Sequence, residues 1–92
     1  MITCPPSHLD GAAVICYAVS ETIPFGKLSS KEKTVDIHAM AIARYTGDGK
    51  VYLFLCDAGW NVMQDEEFAD AGEAMKGIPQ QYLGTEFKWQ YI

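Results

Sequence analysis

Basic charge is scarce in this chain, and clustered basic charge is scarcer still. Seven Lys and Arg stand against twelve Asp and Glu, a formal net charge of -5. Such a chain repels phosphate backbones and anionic lipid surfaces unless a local patch overrides the total. The nearest thing to a patch, Lys27, Lys31 and Lys33, is interrupted by Glu32 in a Ser-rich stretch, so nucleic acid is not an expected partner. Histidine is equally sparse. His8 and His38 lie far apart with no His-x-x-x-His or Glu-x-x-His spacing, so no metal-ligand set is prearranged and none is expected. Cys4, Cys16 and Cys56 contain no C-x-x-C pair and leave one over, which fits neither a disulfide framework nor a zinc knuckle. No uncharged run approaches the roughly 20 residues that span a bilayer. The opening MITCPPSHLDG has no basic stretch followed by an apolar one, so no membrane partner is expected and the reading is cytoplasmic.

What remains is ordinary globular composition, 49% hydrophobic and 21% charged over 92 residues. That length supports one domain with a modest core. The expected domain is 1–92, with 1–11 as a loosely held arm because Pro5-Pro6 precede any apolar period. Ala12 to Val19 reads as a strand buried on both faces. Ile23 to Lys33 reads as turn and loop. From Thr34 to Tyr45 the apolar period is two, which predicts one long strand. Thr46-Gly47-Asp48-Gly49-Lys50 is a hairpin signal, and Val51 to Cys56 returns as its partner. Trp60 to Gln64 would be a third strand of the meander. Asp70-Ala71-Gly72-Glu73 has the form of a capping box, opening a helix with Ala71, Ala74, Met75, Ile78 and Tyr82 on one stripe and Gly84 at its end; Pro79 should kink or break it. Glu86 to Ile92 alternates aromatic and polar residues, a final strand turning Phe87, Trp89 and Tyr91 inward. The expected fold class is α+β, an antiparallel β-meander sheet of four or five strands with one C-terminal helix packed on one face.

Few residues here carry chemistry. Gly47-Asp48-Gly49-Lys50 lacks the earlier glycine, the following Ser or Thr and the downstream helix of a phosphate loop, so no cofactor is expected. Cys56 with His38 and an acid from Asp36 or Asp57 could in principle supply nucleophile, base and orienting carboxylate. A three-residue loop over Gly47 to Gly49 would set Tyr45 opposite Val51 and Met40 opposite Cys56. His38 would then lie diagonally from Cys56, roughly 7–8 Å away at Cα and too far for a direct hydrogen bond.

In that register Val35, Ile37, Ala39, Ala41, Ala43, Val51, Leu53 and Leu55 make one face, whose alanines would admit the helix. The other face carries His38, Met40, Ile42, Arg44, Tyr52, Phe54 and Cys56. Since one helix covers one face, His38, Met40, Ile42, Arg44, Tyr52 and Phe54 are the candidate interaction surface, with the composition of a protein interface. Asp65, Glu66, Glu67, Asp70 and Glu73 form a candidate acidic patch. The expected function is a small non-enzymatic protein-binding or regulatory module, self-associating as a homodimer or binding another protein. The alternatives are an acidic inhibitor of a basic partner and a small thiol enzyme built on Cys56 and His38.

Overall fold

The computed structural model describes residues 2–29, 33–47, 49–78 and 87–92. Among these the chain is mostly antiparallel sheet with one short helix. In chain order the elements are β1 (His8–Leu9), β2 (Ala12–Val19), β3 (Gly26–Ser29), β4 (Thr34–Ile37), β5 (Ala39–Arg44), β6 (Val51–Cys56), β7 (Val62–Phe68), α1 (Ala71–Lys76) and β8 (Gln90–Tyr91). The main sheet runs β1-β2-β5-β6-β7, with β8 also paired to β2, and β3 and β4 form a separate two-stranded ribbon. No helix among the described residues is long and apolar enough to cross a membrane.

The segment expected as a loose arm is tied to the sheet. β1 pairs with β2, His8 opposite Ala13 and Leu9 opposite Ala12, leaving Asp10-Gly11 as a two-residue turn with φ of 49° and 85°. Positive φ at both central residues is the hairpin geometry that an Asp-Gly dipeptide adopts readily. Ile23 to Lys33 is likewise not all loop, because Gly26–Ser29 pairs with Thr34–Ile37. Residues 30–32 lie outside the described residues.

The expected long strand from Thr34 to Tyr45 is broken at His38. The His38 N–H donates to Cys56 O at 3.1 Å, and His38 O accepts from Ser20 N at 2.8 Å. This break shifts the period by one, so Ile37 and Met40 share a buried cluster while Ala39 joins the opposite one. The β5–β6 register differs by one residue from that of a three-residue loop: Ala39 faces Cys56, Met40 faces Leu55, Ile42 faces Leu53 and Ala43 faces Tyr52. A one-residue slip exchanges faces. Met40 and Ile42 therefore lie with Val51, Leu53 and Leu55, and the three alanines lie with Phe54 and Cys56.

α1 consequently packs against a different surface from the expected alanine face. Ala74 and Ile78 join the cluster of Met40, Ile42, Leu53 and Leu55, with Met75, Phe87 and Trp89 against it. Asp70 caps the helix, its Oδ1 accepting from Glu73 N at 2.9 Å, but the end is Gly77, whose N–H bonds Glu73 O and Ala74 O. Gly77 meets the Phe68 ring so closely that a Cβ there would overlap it. Pro79, Tyr82 and Gly84, the expected kink and end, lie outside the described residues. The expected final strand is shorter among the described residues, Gln90–Tyr91 only; Phe87 and Trp89 before it pack against the core as expected, whereas Tyr91 is exposed.

The alanine face is covered too. Leu9, Ala12, Val14 and Trp60 are buried on it, with Ile2, Tyr17 and Tyr45 packed alongside. Trp60 Nε1 donates to Thr3 O at 2.8 Å, pinning the N-terminal segment across the sheet. Small alanines opposite large rings is a volume match: Phe54 and Trp60 fill the space that Ala39, Ala41 and Ala43 leave.

Candidate functional site

Met40, Ile42 and Phe54 are buried completely, Met40 and Ile42 under one layer and Phe54 under the other. The six residues expected as one interaction surface therefore do not share a face. Of them, Arg44 is exposed and His38 and Tyr52 are half-buried. The slip in register and the break at His38 are the physical reasons.

The Cys56–His38 pair is not assembled for nucleophilic chemistry. Among the described residues no hydrogen bond joins their side chains. His38 Nδ1 instead lies 2.7 Å from Ser20 O, where a ring N–H would donate to the carbonyl. Burial, with smaller contributions from Asp57 and Asp10, pushes the Cys56 thiol up to about 12. Burial alone takes Cys16 to about 11. At neutral pH both are thiols, and the thiolate is the nucleophile. In the native protein Cys16 and Cys56 should thus react with a thiol reagent far more slowly than the exposed Cys4. One fast-reacting group per chain, rising to three in denaturant, is the expected titration; a fast Cys56 would contradict the buried placement. Among the described residues no three His, Cys, Asp or Glu side chains converge to hold a metal.

The open side of the sheet among the described residues is β7. It pairs only with β6, and no other described strand pairs with the backbone N–H and C=O groups of its far edge. Its register sets Glu66 opposite Leu53 and Asp65 opposite Phe54. Glu66 therefore lies on the helix side of the sheet, while Asp65 and Glu67 lie on the alanine side. The acidic patch expected from sequence wraps around an edge. Glu67 is held by Lys50 Nζ at 3.0 Å and Tyr52 Oη at 2.9 Å, and Glu73 by Lys76 at 3.7 Å. Asp70 spends an oxygen on its cap. Asp65 and Glu66 have no ion-pair partner among the described residues.

The hydrogen bonds from Lys50 and then Tyr52 hold Glu67 below the ordinary carboxylate range. A lowered carboxylate stabilises the fold above its unfolded value of about 4.3 and loses that contribution as pH falls through its folded value. Tyr52→Phe should move the Glu67 titration upward, toward the ordinary range, with Lys50 still in place. Carboxyl carbon shifts followed by NMR from about pH 6 down to about pH 2 would show it; an unmoved midpoint would mean that the phenol does not support this carboxylate.

Asp57 builds the turn that Asp57-Ala58-Gly59 leads one to expect from sequence. Its Oδ1 accepts from Gly59 N and Asn61 N, both at 2.9 Å, and Asn61 Nδ2 lies 3.2 Å from Oδ1 and 3.0 Å from Oδ2. Burial works against the charge, but these bonds prevail and hold the carboxyl below its usual range. The turn places Trp60 at φ 64°. One residue further into β7 a bulge follows, because Leu55 faces Gln64 while Cys56 faces Val62. Met63, the extra residue, stands against the β3–β4 ribbon.

There Leu28, Ser29, Lys33, Val35, Met63 and Gln64 line a cavity of about 220 Å³. Gly26 to Val35 holds only Leu28 and Val35 as apolar residues, too few to set a period, so no sequence signal marked its floor. No protein-family model, curated protein or solved structure matches this chain.

Proposed function

We propose that this chain is a non-enzymatic protein-binding module of α+β architecture, with α1 as the second layer, and that it docks a basic partner along the open edge of β7. The observation that carries the reading is the combination at that edge of unpaired backbone and two carboxylates, Asp65 and Glu66, that the described residues leave unneutralised. Charged residues on an edge strand discourage uncontrolled pairing with like edges. The same charges raise the encounter rate and the selectivity for a basic surface. Self-association through a sheet face, the other expected mode, loses its main support because both faces are covered. Three unpaired thiols suit a reducing compartment such as the cytoplasm.

The test is capture on immobilised protein from a lysate of the source cells, with wild type beside the Asp65→Lys, Glu66→Lys double variant. Wild type should retain a basic protein near 0.1 M salt and release it near 1 M, as the screening length falls from about 10 Å to about 3 Å. The double variant should not retain it. Equal capture by both proteins would remove β7 as the contact. Light scattering at micromolar concentration should give the 10.2 kDa monomer; twice that mass would favour a second copy of the chain as the partner.

A further inference from the structure

Resting on the β7 reading, we propose that the partner enters as an extended basic segment that adds a strand to β7 and seats one apolar side chain in the cavity between β7 and the β3–β4 ribbon. Adding a strand to an exposed sheet edge supplies affinity through main-chain hydrogen bonds, and pockets for alternate side chains supply specificity. Both elements are present at β7. Its free edge provides the first, and the cavity beside Met63 and Gln64 provides the second.

The cavity's size selects its occupant. Sites for drug-sized ligands and cofactors run to about 300–1,000 Å³, and a dry apolar cavity of about 150 Å³ holds a benzene-sized ring. At about 220 Å³ this one suits a single Leu, Ile or Phe side chain. Leu28, Val35 and Met63 give it apolar walls.

Register then orders the partner's sequence. Gln64 and Glu66 lie on the helix side of β7, facing Leu55 and Leu53, while Asp65 and Glu67 lie on the other side, facing Phe54 and Tyr52. Strand side chains alternate between faces. A paired segment that points its apolar residue toward the cavity therefore points a neighbour two positions away toward Glu66, the residue between them toward Asp65, and the next one beyond toward Glu67. The segment that fits has one apolar residue amid lysines or arginines on both faces.

The probe is the synthetic peptide acetyl-Lys-Thr-Lys-Leu-Lys-Lys-Thr-amide, titrated into the isotopically labelled full chain and followed by NMR. Amide shifts should change along 63–68, with the methyl signals of Leu28, Val35 and Met63 moving alongside. Replacing the peptide's Leu by Ser, or N-methylating alternate amides, should weaken binding by about tenfold or more. Met63→Trp and, independently, Gln64→Trp should fill the cavity and have the same effect; retained backbone dispersion reports that each variant is folded. If these changes leave affinity intact while Asp65→Lys with Glu66→Lys abolishes it, the edge reading survives and the anchored side chain is overturned. Shift changes centred on the β2–β8 edge, or none at millimolar peptide, would overturn strand addition at β7, and lysate capture would then judge the basic-partner reading separately.

Discussion

Trp60→Ala should lower stability by about 3–5 kcal/mol, the usual cost of truncating a buried Trp to Ala. The ring does three things at once. It fills the alanine face beside Phe54, meets Tyr17 edge-on with centroids 5.8 Å apart, and donates to Thr3 O. Loss of the last also frees the N-terminal segment, whose other ties include Ile2 N to Glu21 Oε1 at 2.8 Å and Cys4 Sγ to Tyr17 Oη at 3.5 Å. Because the residue sits at φ 64°, Trp60→Gly removes the same ring but relieves the backbone, and should be less destabilising than Trp60→Ala by about 1 kcal/mol or more. Urea melts of both variants would establish the order. A loss under about 1 kcal/mol would mean that the N-terminal segment does not cover this face.

Ile42→Ala should cost about 2–5 kcal/mol, because Ile42 is fully buried against the layer that α1 closes. The expected sequence register placed Ile42 on an open face, where truncation would cost little. The companion variant Ala41→Leu adds volume on the Phe54 side and should cost about 1–3 kcal/mol through overpacking. Arg44→Ala, at an exposed position, should stay within about 0.5 kcal/mol. A mild Ile42→Ala with a tolerated Ala41→Leu would reinstate the other register.

The strands were legible where period and turn chemistry agreed. Ala12 to Val19 and Val51 to Cys56 stand as expected, and the Asp70 cap was visible from residue types alone. The faces were not legible, and the cause is local. Irregularities sit at three places, between Val14 and Cys16, at His38, and between Leu55 and Cys56. Each adds or displaces one residue, and with a side-chain period of two each inverts every later assignment in its strand. Nothing in the composition around Ile15, His38 or Met63 announces a bulge, since the hydrogen bonds that create it come from residues remote in sequence. Asp10-Gly11 is the contrary case: the hairpin dipeptide was in plain view, but Pro5-Pro6 nearby suggested an arm. For the site, the acidic residues were legible as a group. Their division between two sides of one edge strand required the β6–β7 pairing, and the cavity required the β3–β4 ribbon.

Amide hydrogen exchange, recorded for the free protein and then for its complex with the captured partner, tests the central claim most directly. In the free protein the amides of β5 and β6, paired on both sides, should exchange slowest, and those of β7 directed away from β6 should exchange fast. In the complex the fast β7 amides should become protected while the α1 surface and the β2–β8 edge stay unchanged. Protection that appears on either of those surfaces and leaves β7 exchanging as before would contradict the account.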